Sequence, residues 1–439
     1  MGFESPVHNI WLPLAVVSYD GLLRQTALFN LFSESSFKGH SGTIAGIAVS
    51  PDGSKAVSGA HRPQSFDRDA MIWCLPSGKC DRRLRGHEVG IFSVAYSPDG
   101  RTIATGGGGA VKGRQWVHDD AIRLWSEDGE QCRKFGKDLF FVHALAFSPD
   151  GRFLLSGSAN NAPKAPVADG SCLRLWEVGS GREVRRFGHH SSAVNTIGFS
   201  PDGKYVVAGS NGIRADGSVA GAVTIKTSLH KKDDPLPAGE TAMTKDQLRE
   251  YANGGSLRQD VAQSLRTLAQ RLDPAKSISV SIKPHDYSSA LEYQTIRIWD
   301  TSSGQELHLF SHQGWVNSVA FSPDGKQLLS AGKGVILWDA ASGEQIVRIG
   351  GSETNFTHCA GFSPDGQQIA LGTGGRFDVG SPYENCFTRL YSPTGGRELA
   401  SWNHKYPVTA LAFSPDNRFV LAGGEHGELH IWTCSERNC

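Results

Sequence analysis

Apolar positions in this chain recur as short alternating runs. Val316-Asn-Ser-Val-Ala-Phe321 is one, and Gln327-Leu-Leu-Ser330 follows it across a turn. Ser-Pro-Asp-Gly stands between them. Proline presets φ for a turn and Asp and Gly complete it, so run plus turn predicts a strand entering a hairpin. The tetrapeptide begins at Ser50, Ser97, Ser148, Ser200, Ser322 and Ser363 and returns as Ser-Pro-Asp-Asn at Ser414. The intervals are 47, 51, 52, 122, 41 and 51 residues, so one period recurs and one interval carries an insertion. A third run in each unit ends on an aliphatic-aromatic pair, at Trp73, Trp125, Trp176, Trp299, Trp338, Tyr391 and Trp432. Behind it comes a Ser-Gly or Gly-Gly turn and one more run, as in Ser342-Gly-Glu-Gln-Ile-Val-Arg348. Four strands per unit, repeated seven times, predict the blades of an all-β propeller.

Composition narrows the partners. Lys+Arg and Asp+Glu number 44 each, so the net charge is zero, which argues against a nucleic-acid binder. The 52 glycines suit a turn-rich chain, and 39% hydrophobic residues can support a packed core. Eight scattered cysteines without a CxxC pair read as reduced thiols. The apolar run from Trp11 to Val17 lacks the basic start of a secretory signal, and no run approaches the ~18 residues of a spanning helix. A soluble cytoplasmic protein without membrane contact is the expectation.

With Trp299-Asp300, Trp338-Asp339, Gly39-His40 and Gly86-His87 in this frame, the chain resembles a WD40-repeat protein. A His falls ten residues before the Ser-Pro turn at His40, His87, His190, His312 and His404; units three and six depart, with Lys137 or Asp138 and Glu353 near that place. The resemblance implies buried hydrogen-bonded tetrads: His40, Ser58, Asp67 and Trp73 in blade one, and His87, Thr105, Asp119 and Trp125 in blade two. Other blades are incomplete. Gly332 and His426 stand for the Asp in blades five and seven, and Ala208 and Ala422 for the Ser in blades four and seven. His-Asp pairs beside a hydroxyl can suggest a catalytic triad, but recurrence around a ring makes them scaffold, because buried polar groups must be satisfied. Only seven residues follow Trp432, too few for a fourth strand. Residues 31–38 precede Gly39-His40 in the register of Arg82 to Leu84 before Gly86-His87, so they are expected to form the outer strand of the last blade. Residues 1–30 would be an N-terminal extension to a propeller spanning 31–435.

Departures from the repeat carry the functional argument. The resemblance implies about ten residues between the second-strand hydroxyl position and the aromatic. Here the spans are 15, 20, 20, 91, 8, 20 and 10 residues in blade order. Extra length is therefore confined to connections between second and third strands, which share one face. Those loops offer Arg62, Phe66, Arg114, Trp116, Arg376, Phe377 and Tyr383, types enriched at interface hot spots, although they can equally pin their own loops. Blade four carries an insertion over 211–292, expected to be a small α/β element. It alternates near 217–227 and 277–282, with capping boxes at Thr244-x-x-Gln247 and Ser256-x-x-Gln259 and a stripe of Val261, Leu265, Leu268 and Leu272. Nine basic against seven acidic residues over 226–276 exclude a phosphate-binding arm.

Catalytic signatures are missing from the sequence. There is no GxSxG, Walker lysine loop, HExxH or zinc-spaced Cys/His cluster, and the glycines at 106–109 read as a flexible loop. His118-Asp119-Asp120 offers metal-ligand types, but Asp119 is claimed by a tetrad. The expectation is a non-catalytic scaffold for protein or peptide partners, without metal or cofactor. A propeller hydrolase or lyase with its site in the central funnel is the alternative. Oligomeric state stays open.

Overall fold

Each unit closes into a four-stranded antiparallel sheet because its alternating runs each have one side to bury. In the third unit, Phe141–Phe147, Phe153–Ala159, Leu173–Glu177 and Glu183–Phe187 pair in chain order. The computed structural model describes residues 32–61, 67–112, 115–119, 121–136, 139, 141–159, 172–188, 192–214, 224–231, 241–243, 276–283, 295–312, 315–349, 356–375 and 383–434. Seven such sheets form a seven-bladed all-β propeller. The first strand of every blade touches the first strand of the next, and the ring closes where Val408–Phe413 meets Thr43–Val49. These first strands therefore line the axis.

The recurring tetrapeptide builds the turn out of each first strand. Ser50 Oγ donates to Asp52 at 2.6 Å and accepts the Lys55 amide at 2.9 Å. The same pair of bonds recurs at Ser97, Ser148, Ser200, Ser322, Ser363 and Ser414, with Gly (Asn417 in blade seven) in the left-handed conformation. Hydrogen bonds from Ser50 and Ser54 hold the Asp52 carboxyl down at about 2.

Blades are joined by aromatic packing. The last apolar residue of an outer strand lies on the tryptophan of the following blade: Phe135 on Trp176 at 5.3 Å, Phe187 on Trp299 at 5.8 Å, Phe310 on Trp338 at 5.5 Å. Phe37 on Trp73, at 5.0 Å, makes the same contact across the junction of the chain's two ends. It belongs to Phe32–Lys38, which pairs antiparallel with Glu428–Cys434 as the outer strand of blade seven. A polar repeat runs alongside. Arginines two residues before the aromatic meet a glutamate nine residues on: Arg174 with Glu183, Arg297 with Glu306, Arg389 with Glu398. In blade seven His430 meets Glu34 at 3.0 Å, so here the acid comes from the N-terminal strand.

Within the blade-four insertion, Thr224–Lys231, Lys276–Lys283 and Thr241–Met243 form a separate three-stranded sheet. The strand Thr224–Lys231 overlaps the alternating run near 217–227, whose residues 217–223 lie outside the described residues, and the short strand Thr241–Met243 has no alternating run long enough to announce it. The segments carrying the capping boxes and the Val261–Leu272 stripe lie outside the described residues. Among the described residues no helix is long and apolar enough to cross a membrane.

Candidate functional site

Two blades carry a complete buried polar chain. In blade one His40 Nδ1 donates to Asp67 at 3.1 Å, Ser58 Oγ lies 2.7 Å from His40 Nε2, and Trp73 Nε1 donates to Ser58 Oγ at 2.8 Å. The Ser41 amide adds a bond to Asp67 at 2.7 Å, so the carboxylate ties two loops together. Blade two repeats this with His87, Asp119, Thr105 and Trp125 at 2.7, 2.7 and 2.8 Å. Because Asp67 and Asp119 bond to histidines that precede the first strands, the second-to-third-strand loops open on the face where the first strands begin.

Arg123 was not foreseen. It is 3% exposed, and its Nη1 donates to both oxygens of Asp119 at 2.7 and 2.8 Å. Burial raises the Asp119 pKa, but hydrogen bonds from His87 and Arg123 outweigh it and keep the carboxyl well below its usual range. The signal was the arginine two before the aromatic in blades two, three, four and six. In blade two the residue nine further on is Cys132 rather than Glu, and Arg123 turns inward instead.

At this face the channel mouth is aromatic. The first–second strand pairing slips by one residue in six blades, at Ala45, Phe92, His143, Asn195, His358 and Thr409. A bulge frees one residue from the ladder and re-aims its side chain. Phe92 stacks on His61 at 4.1 Å and meets Phe141 and His143 edge-on at 5.7 and 5.5 Å. In blades five and six Trp315 and Phe356 remain 45% and 47% exposed. Phe141, Trp315 and Phe356 each stand seven residues before the serine of their turn, a position the sequence reading did not weigh.

The glycines at 106–109 are not a flexible loop. Gly106 and Gly107 end the strand Thr102–Gly107, and Gly109–Lys112 pairs with Gln115–His118 as a hairpin. A side chain on Gly108 would run into the Phe92 ring, so glycine is what lets the hairpin approach the mouth.

Of the loop residues proposed for binding, Tyr383 is described: its hydroxyl donates to Glu425 and its ring meets Tyr406 edge-on at 5.8 Å. Trp116 is placed on the hairpin strand Gln115–His118. Arg62, Phe66, Arg114, Arg376 and Phe377 lie outside the described residues, as does the extension 1–30. Among the described residues no group of three or more His, Cys, Asp or Glu could hold a metal.

The family described as WD domain, G-beta repeat matches residues 32–74, 78–126, 129–176, 181–219, 304–339 and 396–433, more than half of the chain. The chain belongs to the WD40-repeat family. The WD40 match passes over residues 340–395, where blade six replaces the tryptophan with Tyr391. The chain is 24% identical over 370 residues to nuclear distribution protein PAC1 of Coccidioides posadasii, covering 80% of this chain and 69% of that one. It is 24% identical over 342 residues to PAC1 of Arthroderma otae, where the shares are 75% and 66%. Eukaryotic translation initiation factor 3 subunit I of Xenopus tropicalis is 23% identical over 363 residues, with shares of 79% and 94%. This WD40 chain thus spans about two thirds of the length of the nuclear distribution relatives.

Burial makes acid a stress on this propeller. It pushes His61, His143 and His404 down to about 4 from an ordinary 6.5. A base whose pKa is lowered by folding binds protons more readily when unfolded, so its contribution is complete above 6.5 and is lost as pH falls toward 4. The melting temperature should be level above pH 7 and fall between pH 6.5 and 4. Thermal scans giving one value at pH 7.5 and pH 5 would rule out neutral buried imidazoles.

Proposed function

We propose that this WD40 protein is a non-catalytic platform that holds a protein or peptide partner on the face carrying the long second-to-third-strand loops. One observation carries the reading: Trp315 and Phe356, large aromatics half exposed on adjacent blades, hold the repeat position at which Phe141 packs on Phe92 in blade three. Large apolar side chains left to water beside a polar rim are what a partner's apolar segment covers. In this reading the loops of blades one to four and six, which leave from the same face, select the partner. Zero net charge supports a protein partner over a nucleic acid. One relative is by name a subunit of a larger factor, which agrees with a role inside an assembly.

The funnel-enzyme alternative finds less support. His61 and His143 are neutral, and His358 bonds to the Gly374 carbonyl at 2.7 Å. Among the described residues no carboxylate is hydrogen-bonded to these three imidazoles to orient a general base.

The test is affinity capture with mass spectrometry on three chains: intact, Trp315→Ala/Phe356→Ala, and one lacking 212–292. The double variant should lose a stoichiometric partner while its melting temperature moves by only a few degrees. Capture unchanged by the double variant but lost with the insertion would move the site to blade four. No partner on any chain would remove the platform reading and reopen the funnel to a substrate screen.

A further inference from the structure

In blades one to three the outer strand sends an arginine across to the next blade. Arg82, Arg133 and Arg185 stand opposite Ile72, Leu124 and Leu175 of their third strands. Arg82 donates to the Asp128 carbonyl, Arg133 to that of Ser180 at 3.0 Å, and Arg185 to those of Ser302 and Ser303. Each carbonyl belongs to the turn between third and fourth strands of the following blade, on the face opposite the long loops. A side chain on Gly129, Gly181 or Gly304 would run into these arginines, so each arm lies over the turn glycine.

Blade four breaks the series. Its outer strand Glu306–Ser311 contains no arginine, and His308 stands opposite Ile298 in the same register. An imidazole is shorter than an arginine arm, and a side chain on Gly343, the turn glycine of blade five, would meet the Phe310 ring instead. At this junction is a pocket of about 460 Å³, within the ~300–1,000 Å³ range of ligand sites. Its wall includes Tyr205, Leu307 and His308 of blade four and Phe321, Asp339 and Ala341 of blade five. Ala341 stands two residues before Gly343, as Ser302 stands before Gly304. Asp339 Oδ1 takes the Ala341 and Ser342 amides at 3.1 and 2.7 Å, as Asp300 Oδ1 takes the Ser303 amide in the turn that Arg185 reaches. Lys326 is also on the wall, 3.8 Å from Asp324, but it does not bar a second cation: Lys204 stands with Asp202 at the same place in blade four, beside the turn that receives Arg185.

We propose that this pocket takes an arginine side chain of a partner protein, seated as Arg82, Arg133 and Arg185 are seated at the three preceding junctions. The guanidinium donates to the Ala341 carbonyl and the Asp339 carboxylate, and the methylene stem lies on Tyr205, Leu307 and Phe321. Lysine is a poorer occupant, because a single ammonium lacks the fork that spans both acceptors. Leu309, two residues from Leu307 along the outer strand, is 54% exposed and receives an apolar residue beside the arginine. This site lies on the face opposite the long loops and does not rest on the platform reading.

The test follows the Ala341 amide resonance of the full chain during titration with a blocked Leu-Arg-Leu peptide, its lysine and citrulline versions, and free arginine. The arginine peptide should give a saturable shift, with the citrulline version weaker by about ten-fold for the lost charge and the lysine version and free arginine weaker as well. His308→Arg supplies the guanidinium from blade four, so it should abolish the shift and keep or raise the melting temperature. His308→Gln leaves the seat empty and should bind as the parent does. No saturable shift up to tens of millimolar, equal binding of the citrulline peptide or of free arginine, or equal loss in His308→Gln and His308→Arg would overturn the proposal. So would a His308→Arg chain that melts several degrees lower, because the seat would then reject a guanidinium.

Discussion

Asp119→Ala should lower stability by about 3–5 kcal/mol, the range for removing one partner of a buried ion pair. Asp119 takes both Arg123 contacts, the His87 ring and the Glu88 amide at 3.0 Å, so its loss orphans a buried guanidinium and two loops together. Thermal or urea unfolding should register a fall of roughly 3–6 °C in melting temperature, since a long chain shifts by only about 1 °C per kcal/mol. The charge left behind causes most of this cost, so adding Arg123→Leu to Asp119→Ala should recover part of it. Two losses that simply add, or a single variant within a degree of the parent, would show that Asp119 is solvated rather than enclosed. Asp67→Ala in blade one should cost less, because the residue two before Trp73 is Met71 and no buried arginine is stranded.

Removing residues 1–38 is expected to be worse still. Blade seven would lose the strand Phe32–Lys38, leaving Glu428–Cys434 as an open edge and stripping Phe37 from Trp73 and Glu34 from His430. An unpaired edge both destabilises the ring and invites association between chains. The truncated chain should melt at least about 10 °C lower or collect in the insoluble fraction. Phe37→Ala alone should produce a smaller drop, on the order of 2–3 kcal/mol for a partly buried aromatic. A truncated chain that melts with the parent would mean that the ring does not rely on this strand.

These two sites differ in how far they can be read without coordinates. The shortage of residues after Trp432 and the surplus before Gly39 are visible in the chain, and counting blades turns them into a closing strand. The His40, Ser58, Asp67 and Trp73 quartet is likewise readable, since its spacing is set within one blade. Arg123 was visible too, as a repeat position, but its inward turn depends on Cys132 failing to offer an acid. His404 stands where His40 and His87 stand, yet it bonds to Thr388 of the neighbouring blade. Spacing placed the residue and the missing Ser of blade seven redirected it.

Seven blades, their order and the face that carries the extra loops are legible in the residues alone. Those follow from strand period, turn chemistry and counting, each a property of residues close together in the chain. What the ring encloses is set by contacts between distant parts of the folded chain. The bulged positions Phe92 and His143, from neighbouring blades, meet at 5.5 Å because the first strands converge on an axis. His404 stands edge-on to Trp432 at 5.5 Å because the turn before the first strand of blade seven is brought against the third, Glu428–Cys434. Neighbours of that kind are fixed by closure of the ring, and no local period records them.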